Sequence, residues 1–168
     1  MSPAESPRTE PSATPEVRIT VGSRFENIEL IQTVVDDAFS RLGLEDDDRH
    51  WVGIAVREAV ANAIKHGNRE DPDELVDVEL RVEGDQAVIR IEDRGSGFDP
   101  EQVADPLAPE NLLKPSGRGI FYMRRFMDEV SYRFLPGGGT VLVMRKRLAS
   151  PSVPASDENS EANKESNG

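Results

Sequence analysis

The stretch Glu58-Ala-Val-Ala-Asn62-Ala-Ile-Lys65-His66-Gly67-Asn68 decides how the rest of the chain reads. On a helix turning about 100° per residue, Glu58, Asn62 and His66 fall within roughly 80° of one another, and Val52, Val56, Ala59, Val60, Ala63 and Ile64 share the opposite side. One face of such a helix buries, and the other presents a carboxylate and an amide one turn apart. A carboxylate can take a proton and an amide oxygen is a hard ligand suited to magnesium, so the pair has the chemistry of phosphoryl transfer. An amphipathic helix with a solvated Glu and Asn carries the same pattern, and this stretch alone does not separate the two.

Outward from it, residues 16–21 alternate Val17, Ile19 and Val21 with polar neighbours, which predicts a short half-buried strand. Residues 26–42 place Ile28, Ile31, Val34, Val35, Ala38, Phe39 and Leu42 at helical intervals with Gly43 as the stop. Asp46 or Asp47 then caps the central helix, which runs to about His66 and ends at Gly67. Downstream, Val76, Val78, Leu80 and Val82, then Ala87, Ile89 and Ile91 beyond Gly84-Asp85, read as an antiparallel hairpin with one buried face. Residues 99–116 hold Pro100, Pro106, Pro109 and Pro115 with little periodicity and read as a long loop or lid. Gly117-Arg118-Gly119 opens a further helix, and strands over 130–135 and 140–146, joined through Pro136-Gly137-Gly138-Gly139, close the domain.

That order predicts an α+β fold, a two-layer sandwich with helices on one face of a mixed, mostly antiparallel sheet. Residues 16–148 form the expected domain, between an N-terminal tail, 1–15, and an acidic C-terminal tail, 149–168, both with too little to bury to hold a structure. With 168 residues there is one core and therefore one site to look for. A net charge of −12 argues against binding to a nucleic-acid backbone or to anionic lipid, although backbone amides and a metal ion still allow a nucleotide. Cysteine is absent, and the two histidines, His50 and His66, do not form a metal-ligand pattern. No window approaches the roughly 18 continuous apolar residues of a membrane span, so the chain reads as soluble and cytoplasmic.

Two glycine motifs add chemistry. Asp93-Arg94-Gly95-Ser96-Gly97-Phe98 leaves a strand with a carboxylate at its end, and glycines just beyond it let a planar ligand approach the backbone. A buried carboxylate accepts a hydrogen bond from an exocyclic amine, which adenine has where guanine has an oxygen. An ordinary Asp- and Gly-rich turn has the same composition. Gly117-x-Gly119 at a helix start offers unpaired amides to phosphate beside Lys114 and Arg118, or simply hinges the helix. Neither a P-loop nor a dinucleotide-fold fingerprint is present, so a nucleotide site here uses another architecture.

Glu58-x-x-x-Asn62, Asp93-x-Gly95-x-Gly97-Phe98, Gly117-x-Gly119 and Gly139-Thr140 occur in the order and approximate spacing of the GHKL ATPases, the group of gyrase, histidine kinases and mismatch-repair ATPases. The resemblance covers about residues 16–147. Within the group, the central stretch and Gly-Ile-Phe-Tyr-Met-Arg-Arg-Phe-Met-Asp-Glu-Val, residues 119–130, look like the bacterial anti-sigma factor serine/threonine kinases. The resemblance implies a magnesium-dependent, ATP-using protein kinase that sequesters a sigma factor and phosphorylates a serine or threonine of a small anti-anti-sigma antagonist. It implies Glu58 as general base, Asn62 as magnesium ligand and Asp93 as the adenine-selecting group. Gly95 and Gly97 would shape the base pocket, Gly117 and Gly119 would meet the phosphates, and Thr140 would lie near the adenine. Arg118 would add a phosphate contact, and the helix over 26–42, with acidic Glu26, Glu29, Asp36 and Asp37, would serve a homodimer or a sigma factor. An ATP-binding module that captures a partner without turnover, and a detached histidine-kinase domain, are the alternatives.

Overall fold

The computed structural model describes residues 17–95, 108–112 and 118–148. The tails expected at 1–15 and 149–168 lie outside the described residues, as does most of the expected lid. Alternation builds the sheet. Strands β1 (Val17–Gly22), β2 (Leu75–Glu83), β3 (Gln86–Asp93), β4 (Glu129–Phe134) and β5 (Thr140–Arg147) pair in the order β1-β2-β3-β5-β4. Val76, Val78 and Leu80 of β2, Ala87, Ile89 and Ile91 of β3, and Leu142 and Met144 of β5 all enter one core, as period-two patterning requires.

All four pairings are antiparallel, so the parallel pair of a mixed sheet is absent among the described strands. The reason lies in the connections. β3 and β4 run in the same direction, joined through the helical segment between them, but the β4–β5 hairpin inserts β5 between them. Glu83 faces Gln86 in register, which leaves Gly84-Asp85 as a two-residue turn, and Gly84 takes the positive φ of 62° that such turns need.

Helices α1 (Asn27–Arg41), α2 (Asp46–Asn62), α3 (Pro109–Leu112) and α4 (Arg118–Phe126) complete the described elements. α1 buries Ile28, Ile31, Val35, Ala38 and Phe39, and α2 buries Val52, Ala55, Val56, Ala59 and Val60. Gly43 ends the first helix as expected, with φ 78°. The expected cap on α2 is displaced: Glu45 holds the N-cap position without a side-chain hydrogen bond, and Asp46, Asp47 and Asp48 lie in the first turn, where carboxylates oppose the helix dipole. α3 falls inside the stretch expected to be loop.

On the sheet face away from the helices, Asp77 and Glu79 are nearly buried and are paired. Arg18 bridges to Glu79, and Arg94 Nη2 reaches Asp77 Oδ2 at 2.5 Å. Arg94 follows Asp93 directly, so this pair ties down the chain where it leaves β3.

Candidate functional site

The central helix does not end as a regular α-helix. After Asn62 it widens into a single π turn, Ala63–Gly67, in which the Asn68 N–H donates to Ala63 O at 2.8 Å and the Glu70 N–H to Ile64 O at 2.8 Å. The left-handed residues that close it are Arg69 (φ 53°) and Glu70 (φ 61°), not Gly67. Gly67 is required for another reason: a Cβ there would overlap the Asp93 carboxylate. The turn therefore brings bare backbone flush against the end of β3.

Asp93 is the last residue of β3, opposite Thr140 in the register, and is only 4% exposed. Its Oδ1 accepts the Thr140 N–H at 3.1 Å. Burial pushes its carboxyl up to about 6, against the pull of hydrogen bonds from the Gly95 N–H and from the Thr140 N–H and hydroxyl. Around it the backbone closes in without side chains. A Cβ on Gly95 would overlap the Gly67 carbonyl, and one on Gly139 (φ 95°) would stand 2.6 Å from Asp93 O. The result is a carboxylate in a cradle of glycines, which a flat ligand can enter and a side chain would fill.

Glu58 lies on α2 one turn before Asn62, partly buried, and α4 crosses it at Gly119. A Cβ on Gly119 would be 2.6 Å from Glu58 Oε2 and 3.1 Å from Glu58 Cβ. Aromatic packing holds this crossing: Trp51 of α2 stacks on Phe126 of α4 with centroids 3.9 Å apart and planes 10° from parallel, and Tyr122 lies parallel to Phe126 at 6.3 Å.

Asn62, the last residue of α2, hydrogen-bonds through its amide to the Tyr132 hydroxyl on β4. Burial pushes that hydroxyl up to about 12, so it stays neutral. With its N–H engaged, the amide keeps its oxygen to offer. No cluster of three or more His, Asp or Glu suited to a metal occurs among the described residues. One neutral oxygen suits a magnesium ion that keeps most of its waters and arrives on phosphate oxygens, since such ions take only one or two protein ligands.

Of the residues singled out in the sequence, Asp93, Gly95 and Thr140 come together, and Asn62 joins them through Tyr132. Glu58 meets Gly119. Gly97, Gly117 and the side chain of Arg118 lie outside the described residues, and Lys65 and His66 are exposed on the π turn. Sequence reading passed over Gly67, Asn68 and Tyr132. The His-Gly-Asn ending of the central stretch carried a signal for the first two, because a Gly-Asn pair behind an amphipathic helix marks a close approach as readily as a stop.

Residues 21–146 match the family described as histidine kinase-like ATPase domain. The serine-protein kinase RsbW of Staphylococcus aureus is 33% identical over 128 residues, covering 72% of this chain and 80% of the relative. The protein of that name from strain JH9 is 31% identical over 144 residues, 82% of this chain and 89% of the relative. Among solved structures, the RsbU and RsbW domains of a Mycobacterium tuberculosis protein superpose with a TM-score of 0.56 at 19% identity, over 82% of this chain and 34% of that one. The SiaB–SiaC complex from Pseudomonas aeruginosa gives 0.55 at 14% identity, over 79% of this chain and 89% of the other. These two likenesses concern the fold.

Proposed function

The chain belongs to the histidine kinase-like ATPase family, and from that premise we propose that it is an ATP-dependent serine/threonine kinase of the partner-switching kind. It transfers the γ-phosphate of ATP to a small anti-anti-sigma antagonist and holds a sigma factor out of transcription while that antagonist is phosphorylated. The observation that carries this reading is the glycine-cradled, buried Asp93 in the same fold as the exposed-side pair Glu58 and Asn62.

In that reading Asp93 takes the adenine amine, with Gly95 and Thr140 fixing the carboxylate. Asn62 offers its oxygen to magnesium, which supplies charge neutralisation at the phosphates. Glu58 accepts the proton of the attacking hydroxyl. Gly97, Gly117 and Arg118 would complete the base and phosphate contacts by family resemblance. No helix among the described residues is long and apolar enough to cross a membrane, and a sigma factor as partner puts the protein in the cytoplasm. The exposed side of α1, with Leu30 53% exposed beside Glu29, is the surface we assign to a second copy or to the sigma factor.

Gly119→Ala separates positioning from folding. Alanine ordinarily favours a helix interior over glycine by about 0.5–1 kcal/mol, yet here the new methyl displaces the Glu58 carboxylate. Phosphotransfer is expected to fall by about tenfold to a hundredfold with little loss of Tm, measured side by side. The anti-sigma function is tested by transcription reactions reconstituted with each of the host's sigma factors in turn. The chain with ATP and magnesium is expected to silence one alternative sigma factor and spare the primary one. No effect with any of them would remove this part of the reading.

A further inference from the structure

Asn68 takes no part in the chemistry above, yet it is 3% exposed and lies at the back of the Asp93 cradle. Its orientation is fixed by its own partners. Nδ2 donates to Ser23 Oγ at 2.7 Å and to Leu75 O at 2.9 Å. The Leu75 carbonyl has no hydrogen to give, and the Ser23 hydroxyl spends its own on Glu74 O at 2.9 Å. Both neighbours are acceptors towards Asn68, so the amide cannot be turned over and Oδ1 must point the other way.

That oxygen is buried without a hydrogen-bond partner, one of two such side-chain atoms among the described residues. A Cβ on Gly95 would stand 3.2 Å from it. Gly95 overlies the Gly67 carbonyl, and Gly67 overlies the Asp93 carboxylate, so Oδ1 borders the same small space. A buried acceptor left unmet is costly, and native structures rarely keep one without a ligand or water to satisfy it. An exocyclic amine carries two hydrogens, and a single carboxylate oxygen in line with it uses one.

We propose that Asn68 is a second specificity-determining residue of the base pocket, its Oδ1 accepting the adenine amine hydrogen that Asp93 leaves free, directly or through one ordered water. The proposal rests on the ATP reading above. Two acceptors facing one position reject guanine, whose oxygen there has no hydrogen for either.

The test is equilibrium binding of ATP, GTP and N6-methyl-ATP to wild type and Asn68→Ala. Wild type is expected to bind N6-methyl-ATP about tenfold more weakly than ATP, and Asn68→Ala to bind those two within about twofold of each other. Asn68→Ser, which can keep a bond to Ser23, takes its place should the alanine variant not fold. A wild type that prefers ATP to GTP but binds N6-methyl-ATP as tightly as ATP overturns the role of Asn68 alone. So does an equal penalty in wild type and variant, which would mark a steric clash. A wild type with no preference for ATP over GTP removes the adenine reading, and this proposal with it.

Discussion

Glu58→Ala is expected to leave ATP bound within about threefold of wild type and to slow phosphoryl transfer to the protein substrate by about 10²–10⁴-fold, the usual contribution of a positioned general base. The separation of binding from transfer follows from place. Glu58 lies on α2 under the Gly119 crossing, whereas the base pocket is built around Asp93 at the far end of the π turn. Removing the carboxylate leaves that cradle untouched. Glu58→Gln keeps the shape and a hydrogen-bonding oxygen but has lost the basic carboxylate, so it should transfer as slowly as the alanine variant. A glutamine variant with wild-type rates would mean that Glu58 only orients the hydroxyl. Single-turnover transfer alongside nucleotide binding reads both quantities.

The second large effect belongs to Asp93. Asp93→Asn exchanges an ionisable acceptor, held by the Thr140 N–H, for an amide whose nitrogen must face a donor on one side. ATP affinity should fall by about 10- to 100-fold, the range for a lost hydrogen bond to a charged group, while GTP binding changes little. The pH profile carries the same signature. Burial raises the Asp93 carboxyl from 3.8 to about 6, so the free protein protonates it as pH falls through that value. The ionised form is the better acceptor for an amine, and ATP affinity is expected to decline below about pH 6 in wild type and to stay flat in Asp93→Asn. For folding the sign is opposite. A carboxyl with its folded pKa above the unfolded one binds its proton more tightly in the native state, so its stabilising contribution is complete below about 3.8 and is lost as pH rises through about 6. Strong ATP binding above pH 6 thus coexists with a local cost to stability, a common trade at binding sites.

Much of this arrangement was legible before any coordinates. The 3.6-residue period of Val52, Val56, Ala59 and Val60 fixed the buried side of α2, and Gly84-Asp85 fixed the register of β2 with β3. Both signals are local, carried by neighbours in sequence. What escaped the reading depends on contacts between distant segments. Tyr132 meets Asn62 across 70 positions, and nothing around Tyr132 in β4 distinguishes it from any inward-facing aromatic of a strand. Gly67 was expected to stop a helix by conformation, yet Arg69 and Glu70 carry the left-handed turn and Gly67 yields room to Asp93. The sheet was expected to be mixed because β3 and β4 do run in the same direction, and only the insertion of β5 between them makes every pairing antiparallel.

The kinase is tested most directly by following the labelled γ-phosphate of ATP in host lysate, with wild type and Glu58→Ala compared after both are shown to bind ATP with magnesium. Wild type is expected to label one small protein on serine or threonine, and Glu58→Ala to leave it unlabelled over the same interval. Equal labelling by the two proteins would remove Glu58 from the chemistry. Absence of labelling by wild type, with the antagonist shown to be present and unphosphorylated, would contradict the kinase and leave an ATP-binding protein that captures its partner without turnover.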